Sequence, residues 1–162
     1  MSLVKQVPVP SRATELAGLA RVDYADAFTV PIATELPPEE WIRRLTDRMP
    51  GLFAVVRVAH RMLGLKLEPA DGQDHLIGWD ILRSTDNEAV LGTSGALGVP
   101  RIVGLTSPGH VVVSTLITLK NLRARAIWYI FAPLHRSVAR SALATLSVMA
   151  DELASEEPMG RR

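Results

Sequence analysis

The order in which the hydrophobic period changes along the chain constrains its fold more than any other feature. Residues 22–32 (VDYADAFTVPI) have the composition of a strand. A proline pair and an acidic pair follow, which predicts a helix that begins near Pro38 and ends near Pro50. Residues 51–63 place apolar side chains at helical spacing and precede Gly64, so they predict a second helix. One strand is therefore followed by two short helices.

Short strands and one long helix account for the rest of the chain. Segments rich in Val, Ile, Leu and Thr alternate with turn-forming residues, which predicts strands at residues 76–82, 89–93, 99–105 and 111–119. Near Asn121 the period becomes helical, and one apolar stripe comprises Ala139, Ala142, Leu143, Leu146, Met149, Ala150 and Leu153. This α+β order predicts a curved antiparallel sheet that grips the long C-terminal helix, an arrangement that often leaves a cavity.

The chain is predicted to form one domain with loose ends. No internal repeat, low-complexity tract or linker-like segment interrupts residues 11–154. Residues 1–10 contain two prolines, which cannot donate hydrogen bonds in a sheet, and residues 155–162 are mostly polar and contain Pro and Gly. We therefore expect a flexible segment at each end of a single domain.

Four strings in this order carry a family resemblance: VDYADAF (22–28), VVRVAHRMLGLK (55–66), NEAVLG (87–92) and the apolar and basic run at 112–143. The chain resembles the bacterial domain of unknown function 2867, a member of the START-like helix-grip superfamily, also called SRPBCC. The resemblance implies a helix-grip (START/Bet v 1-like) fold and an apolar ligand cavity, but no activity. After NEAVLG the family tends to carry a polar string, and here Arg101 is the polar residue that remains.

Charge and hydropathy exclude several classes of protein. Eighteen basic and 17 acidic side chains give a net charge of +1, which argues against a dedicated nucleic-acid or anionic-membrane binder. Eight aromatic residues supply few stacking platforms for single-stranded nucleic acid. The longest apolar run, residues 126–134 (AIWYIFAPL), is too short for a membrane span, which needs roughly 20 residues, so it should be buried or form a contact surface. Residues 1–10 lack the apolar run of a secretory signal, so we expect a cytoplasmic protein.

No residue pattern indicates a metal or a cofactor. Cysteine is absent, which excludes disulfides, thiolate nucleophiles and cysteine-ligated metals. Phosphate-binding glycine loops and a G-x-S-x-G motif are also absent. The four histidines, at positions 60, 75, 110 and 135, lack the short spacing that places two imidazoles on one metal ion. We therefore predict neither a metal site nor a cofactor.

The candidate ligand-binding residues are Trp79, Arg101, Trp128 and His135. Helical spacing puts His135 on the same side of the last helix as Ala139 and Ala142, facing the predicted cavity. There it could orient a polar ligand group or act as a general base; the alternative is an exposed or backbone-bonded histidine. The two tryptophans are apolar residues of either the core or the cavity wall.

Three functions remain open. The first is a protein that binds a small apolar or amphipathic ligand in a cavity between the sheet and the last helix. The second is a cyclase- or isomerase-type enzyme with His135 as base and Arg101 as charge stabiliser, although the sequence contains no catalytic constellation. The third is an accessory protein with a closed core. Cavity volume distinguishes the third, and a buried histidine paired with another polar group would favour the second.

Overall fold

The strands and helices follow the predicted order, with additional short elements. A computed structural model describes residues 3–33, 35–69 and 72–156. The strands in this part of the chain are β1 (Lys5–Gln6), β2 (Tyr24–Pro31), β3 (His75–Leu76), β4 (Trp79–Ser84), β5 (Glu88–Gly92), β6 (Gly98–Ser107) and β7 (His110–Leu119). The helices are α1 (Ser11–Ala17), α2 (Pro38–Arg48), α3 (Pro50–Met62) and α4 (Leu122–Glu156).

The strands form one curved sheet in the order β1-β2-β7-β6-β5-β4-β3. Every neighbouring pair is antiparallel, and the β6–β7 hairpin turns at Ser107↔His110. The long connection from β2 to β3 contains α2 and α3, and α4 follows the last strand. The predicted α+β class with an antiparallel sheet and a long C-terminal helix is confirmed.

Regular secondary structure extends into both segments that the sequence assigns to the chain ends. Lys5 and Gln6 pair with Thr29 and Phe28 at the sheet edge, and Val4 is buried. The prolines at positions 8 and 10 follow this strand, so they do not prevent its pairing. At the other end α4 continues through Glu156, and the remainder of the predicted tail, residues 157–162, lies outside the described residues.

Helix α4 lies across one face of the sheet and forms the main core there. Its buried residues Leu143, Leu146, Met149 and Ala150 join a cluster with side chains of β2, β7 and α2, namely Phe28, Val30, Val111, Trp41 and Leu45. The helix start is fixed by polar groups: the backbone N–H of Ala124 donates to Oδ1 of Asn121 at 2.8 Å, and Arg125 pairs with Asp23 at 2.8 Å. These contacts hold the N-terminal end of α4 near the start of β2.

Helix α1 covers the opposite face of the sheet. Its Ala13 and Ala17 pack against Val90, Val103 and Leu116. The helix ends at Gly18, whose φ of 60° is the left-handed conformation that glycine adopts without strain. Each face of the sheet therefore carries a helix, and the larger core lies on the α4 side.

Helices α2 and α3 differ in how firmly they are buried. In α2, Trp41 and Leu45 are fully buried in the core. None of residues 50–62, all of which the structure describes, is fully buried in α3. Val58 and Met62 of this helix are 61% and 80% exposed. Helix α3 therefore forms an outer wall of the domain rather than part of its core.

Candidate ligand cavity

A cavity of about 170 Å³ lies between the sheet and the three helices α2, α3 and α4. Side chains in β6 and β7 alternate between the two faces of a strand, so every second residue reaches the cavity. These are Pro100, Ile102 and Gly104 in β6, and Val111, Val113, Thr115 and Ile117 in β7. From α4, Trp128, His135, Ala139 and Ala142 complete one side at helical spacing. The lining is therefore almost entirely apolar.

Three of the four predicted site residues come together at this cavity. Trp79 reaches it from β4, and Trp128 and His135 reach it from α4. Arg101 lies outside it, because its neighbours Pro100 and Ile102 face the cavity and the residue between them must point to the other face of β6. Its guanidinium instead donates to the carbonyl oxygen of Thr93 at 3.1 Å, in a separate polar cleft that contains Asp80.

The cavity is small for a ligand site. Sites for small molecules commonly enclose roughly 300 to 1,000 Å³, whereas this cavity encloses about 170 Å³. A tightly fitting occupant must therefore be small. Any larger occupant requires a wall to move, and α3 is the wall with no fully buried residue among residues 50–62.

A buried carboxylate lies close to His135 and to a neighbouring tyrosine. Asp26 on β2 is only 4% exposed, and its Oδ2 accepts a hydrogen bond of 2.5 Å from the Tyr24 hydroxyl. Nε2 of His135 lies 3.6 Å from the same oxygen. Tyr24 and Asp26 share a face of β2 because they are two residues apart. The strand thus presents a tyrosine and a carboxylate to the imidazole on α4.

The electrostatics of this cluster favour an ionised carboxylate beside a neutral phenol. Burial raises the pKa of Asp26, but its contacts with His135 and Tyr24 and the nearby Arg136 guanidinium outweigh burial, so the pKa is lowered. Burial, together with the hydrogen bond and the negative charge of Asp26, raises the pKa of Tyr24 well above its usual value. Tyr24 therefore remains a hydrogen-bond donor at neutral pH.

A second histidine, His60 of α3, lines the cavity and contacts Trp79. The indole N–H of Trp79 donates to Nδ1 of His60 at 3.2 Å, and the two rings are 5.2 Å apart. Burial, assisted by electrostatic interactions with His135 and Arg57, lowers the pKa of His60 to about 4. At neutral pH His60 is therefore uncharged, and since Nδ1 accepts the indole N–H, its own proton is on Nε2.

Aromatic contacts join Trp128 to the carboxylate cluster. The Trp128 ring lies 5.1 Å from Tyr24 in an edge-to-face arrangement and 5.4 Å from His135. The buried indole N–H groups of Trp41 and Trp128, both in the lining, have no hydrogen-bond acceptor among the described residues. The apolar cavity therefore carries a few polar groups that can fix the orientation of a ligand.

The sequence patterns did not identify Tyr24, Asp26 and His60 as site residues. Alternation in the string Tyr-Ala-Asp-Ala-Phe places Tyr24, Asp26 and Phe28 on one face of a strand, which is a sequence signal for an inward carboxylate. His60 is four residues after Val56, which also lines the cavity, so helical spacing was its signal. The described residues contain no group of three or more His, Asp or Glu side chains arranged to hold a metal ion.

Comparison with known proteins provides no independent assignment. No family model, no curated protein and no solved structure matches this chain. Within residues 3–33, 35–69 and 72–156, no helix combines the length and the apolar character needed to cross a membrane.

Proposed function

We propose that this protein is a helix-grip domain that binds a small, mainly apolar molecule in the cavity between the sheet and α4. The observation that carries the proposal is the convergence of Trp79, Trp128 and His135 on one apolar space. The order of the elements, with two helices between β2 and β3 and a long helix after β7, is compatible with a helix-grip fold.

The polar groups around the cavity favour a ligand that also carries an oxygen acceptor. The indole N–H of Trp128 is a donor with no acceptor among the described residues, and neutral His60 carries its proton on the nitrogen not used by Trp79. A ketone, ester or similar oxygen could accept hydrogen bonds from such groups while the rest of the ligand fills apolar space. An ionic ligand is disfavoured because most of the lining cannot solvate charge.

Binding of a naphthalene-based fluorescent probe tests this proposal. The native protein should bind about one probe per chain, and Ala142→Phe should abolish binding because the new ring fills the cavity. Ala144→Phe is the matched control, since Ala144 is an exposed alanine on the same helix. The double variant Trp128→Ala/His135→Ala should bind more weakly than the native protein.

A negative result would favour an accessory protein with a closed core. If the native protein binds the probe no better than an unrelated folded protein does, the cavity does not accept ligands. If Ala142→Phe and Ala144→Phe reduce binding equally, the probe binds elsewhere on the surface.

A second candidate, an enzyme that transfers protons within the cavity, is supported by one specific contact. Asp26 lies 3.6 Å from Nε2 of His135 and is itself held by Tyr24. A carboxylate that accepts a hydrogen bond from one imidazole nitrogen fixes the orientation of the ring, and Asp26 would take this role if the 3.6 Å separation shortened. Nδ1 of His135 is then the ring nitrogen that can remove a proton from carbon next to a ligand carbonyl and return it at another position.

Solvent deuterium incorporation tests this second function. Small apolar ketones and esters would be incubated with the protein in D₂O, and exchange next to the carbonyl followed by NMR. Exchange catalysed by the native protein should be lost in His135→Gln and reduced in Asp26→Asn. If no compound exchanges faster with the protein than in buffer alone, the protein does not catalyse this proton transfer. The binding proposal is not affected by that result.

A further inference from the structure

One flank of α4 exposes apolar side chains beside the cavity. Ile127, Ile130 and Leu134 are spaced i, i+3 and i+7 and therefore form one stripe along the helix. Ile130 is 75% exposed and Leu134 is 58% exposed. They belong to the apolar run of residues 126–134, which the sequence predicts to be buried or to form a contact surface. Ile127 is half-buried, so the exposed part of this stripe is formed by Ile130 and Leu134.

The position of this stripe follows from the contacts on the other flank of α4. Arg125 pairs with Asp23, and Arg140 lies 3.5 Å from Gln6, so that flank faces β1 and β2. Helical geometry puts Ile130 and Leu134 on the opposite flank. That flank is directed toward the side of the domain where α3 contacts β4 through His60 and Trp79.

Helix α3 exposes a similar apolar surface. Val55, Val58 and Met62 are spaced i, i+3 and i+7 and are between 61% and 80% exposed. The opposite side of the same helix lines the cavity through Val56, His60 and Leu63. Both α3 and α4 thus present apolar side chains outward next to the cavity that they enclose.

The two helices also carry basic residues without nearby acidic neighbours in sequence. No Asp or Glu occurs between residues 50 and 67 or between residues 122 and 150. Arg61 lies next to Val58 and Met62 on α3, and Arg123 precedes Ile127 and Ile130 on the exposed stripe of α4. Neither arginine has an ion-pair partner among the described residues. The net charge of +1 therefore conceals a local basic surface.

We propose that these exposed faces of α3 and α4 form a docking surface for an anionic lipid bilayer. The docking surface comprises Val55, Val58, Arg61, Met62, Arg123, Ile130 and Leu134. Aliphatic side chains interleaved with arginines match the boundary between acyl chains and negatively charged headgroups. The surface borders the ligand cavity, so an apolar ligand could pass between bilayer and protein without crossing water. Docking itself does not require the cavity to bind a ligand.

Charge favours a bilayer over the other occupants of such a surface. A second copy of this chain would bring one set of unpaired arginines against another, and like charges repel. Nucleic acid would pair with the arginines but would leave the exposed Val, Ile, Leu and Met side chains without an apolar partner. An anionic bilayer satisfies both the charged and the aliphatic groups.

Vesicle sedimentation with the full chain tests the proposal. The protein should sediment with vesicles of phosphatidylcholine mixed with phosphatidylglycerol, and much less with vesicles of phosphatidylcholine alone. Arg61→Gln and Arg123→Gln should each weaken binding by about fivefold, and added salt should weaken it further. Val58→Asp and Ile130→Asp should weaken binding because each places a carboxylate at the bilayer surface.

Leu82→Asp is the matched control, because it introduces the same charge at an exposed apolar residue of β4 that lines the separate polar cleft of Arg101. It should bind vesicles as the native protein does, and circular dichroism should show that all variants are folded. Equal binding to neutral and anionic vesicles, or an equal loss in Leu82→Asp and Ile130→Asp, would overturn the proposal. A dimer in solution that Val58→Asp dissociates would also overturn it by assigning the surface to a second copy.

The proposals for the cavity and for the docking surface can be tested separately. Ala142→Phe should abolish probe binding but leave vesicle binding unchanged. Arg61→Gln should weaken vesicle binding but leave probe binding unchanged. Loss of probe binding alone therefore tests the proposed function, and loss of vesicle binding alone tests the docking surface.

Discussion

Oδ2 of Asp26 lies 3.6 Å from Nε2 of His135, in a part of the domain whose other side chains are mainly apolar. The same oxygen accepts a hydrogen bond from the Tyr24 hydroxyl, with an oxygen–oxygen distance of 2.5 Å. A carboxylate buried to this degree is costly to the fold unless it is compensated, and here Tyr24, His135 and Arg136 supply the compensation. The stability of the domain should therefore respond to the ionisation of Asp26.

Replacing Asp26 should change how the free energy of unfolding depends on pH. The pKa of Asp26 is lower in the folded protein than in the unfolded chain, so the unfolded chain binds a proton first as pH falls. Its stabilising effect is present above the unfolded pKa of about 4 and is lost as pH falls through the folded value. Urea unfolding between acidic and neutral pH should show that Asp26→Asn loses less free energy of unfolding on acidification than the native protein does, by on the order of 1 kcal/mol.

The exposed carboxylate of Asp86, between β4 and β5, provides the control for this measurement. Asp86→Asn should leave the acid loss of stability close to that of the native protein. Tyr24→Phe should also make the acid loss shallower, because without the Tyr24 hydroxyl the pKa of Asp26 in the folded protein lies closer to its unfolded value. Identical pH profiles for the native protein and Asp26→Asn would contradict the role assigned to this carboxylate.

His60 should make the opposite contribution, a loss of stability that begins near neutral pH. Its pKa is about 4 in the folded protein and about 6.5 in the unfolded chain. Between these values only the unfolded chain is protonated, so stability decreases as pH falls from 7 toward 4. His60→Gln should remove most of this decrease, which is on the order of 3 kcal/mol, as measured by urea unfolding at several pH values.

His110→Gln is the matched control, because His110 is exposed at the start of β7. This variant should show the same decrease in stability between pH 7 and pH 4 as the native protein. Tryptophan fluorescence offers a second readout, since protonation of His60 removes the acceptor of the Trp79 indole N–H. A native protein whose stability does not change between pH 7 and pH 5 would show that His60 is not buried in a neutral form.

The apolar stripe near the end of α4 should dominate the stability of the main core. Leu146 is fully buried, so Leu146→Ala should lower the free energy of unfolding by about 2 to 5 kcal/mol through lost burial and cavity formation. Leu134→Ala is the same substitution on the same helix at a residue that is 58% exposed. It should cost less than about 1 kcal/mol. Equal losses in urea unfolding would mean that this half of α4 does not form the core.

Local hydrophobic patterns were sufficient to predict the architecture but not the contact between Asp26 and His135. The spacing of Leu143, Leu146 and Met149 identifies the buried side of α4, because a helix repeats every 3.6 residues whatever it packs against. The contact of Asp26 with His135 depends on how β2 and α4 meet in three dimensions. Neither residue shares a local motif with the other, so single-sequence spacing contains no information on their distance.

Two other differences also have local physical causes. Arg101 was predicted as a ligand residue because of its polarity, but alternation along β6 directs it away from the cavity. The apolar run of residues 126–134 contains too many large side chains for one side of a helix to bury. Trp128 and Ala132 face inward, while Tyr129 and Ile130 are exposed. The apolar composition of this run is visible in the sequence. In the helix, some of its side chains face the cavity and others face the surface.

Gly95, directly after α3 in space, leaves no room for a side chain. It pairs with Leu65 in an isolated bridge directly after α3, and a Cβ at this position would lie 2.1 Å from the carbonyl oxygen of Gly64. Because the obstructing atom is backbone, the segment that anchors the end of α3 must move to accept any side chain. Gly95→Ala should therefore destabilise the protein by more than about 2 kcal/mol and weaken probe binding, since α3 carries His60.

Gly51→Ala is the control within α3 itself. A Cβ on Gly51 meets no atom within 4 Å, and alanine is the better helix former, so the substitution should stabilise the protein by up to about 1 kcal/mol. Thermal unfolding and probe titration of both variants provide the comparison. If Gly95→Ala is as stable as the native protein and binds the probe equally well, the contact between Gly64 and Gly95 does not position α3. If it loses probe binding while Gly51→Ala retains it, the placement of α3 over the cavity determines ligand affinity.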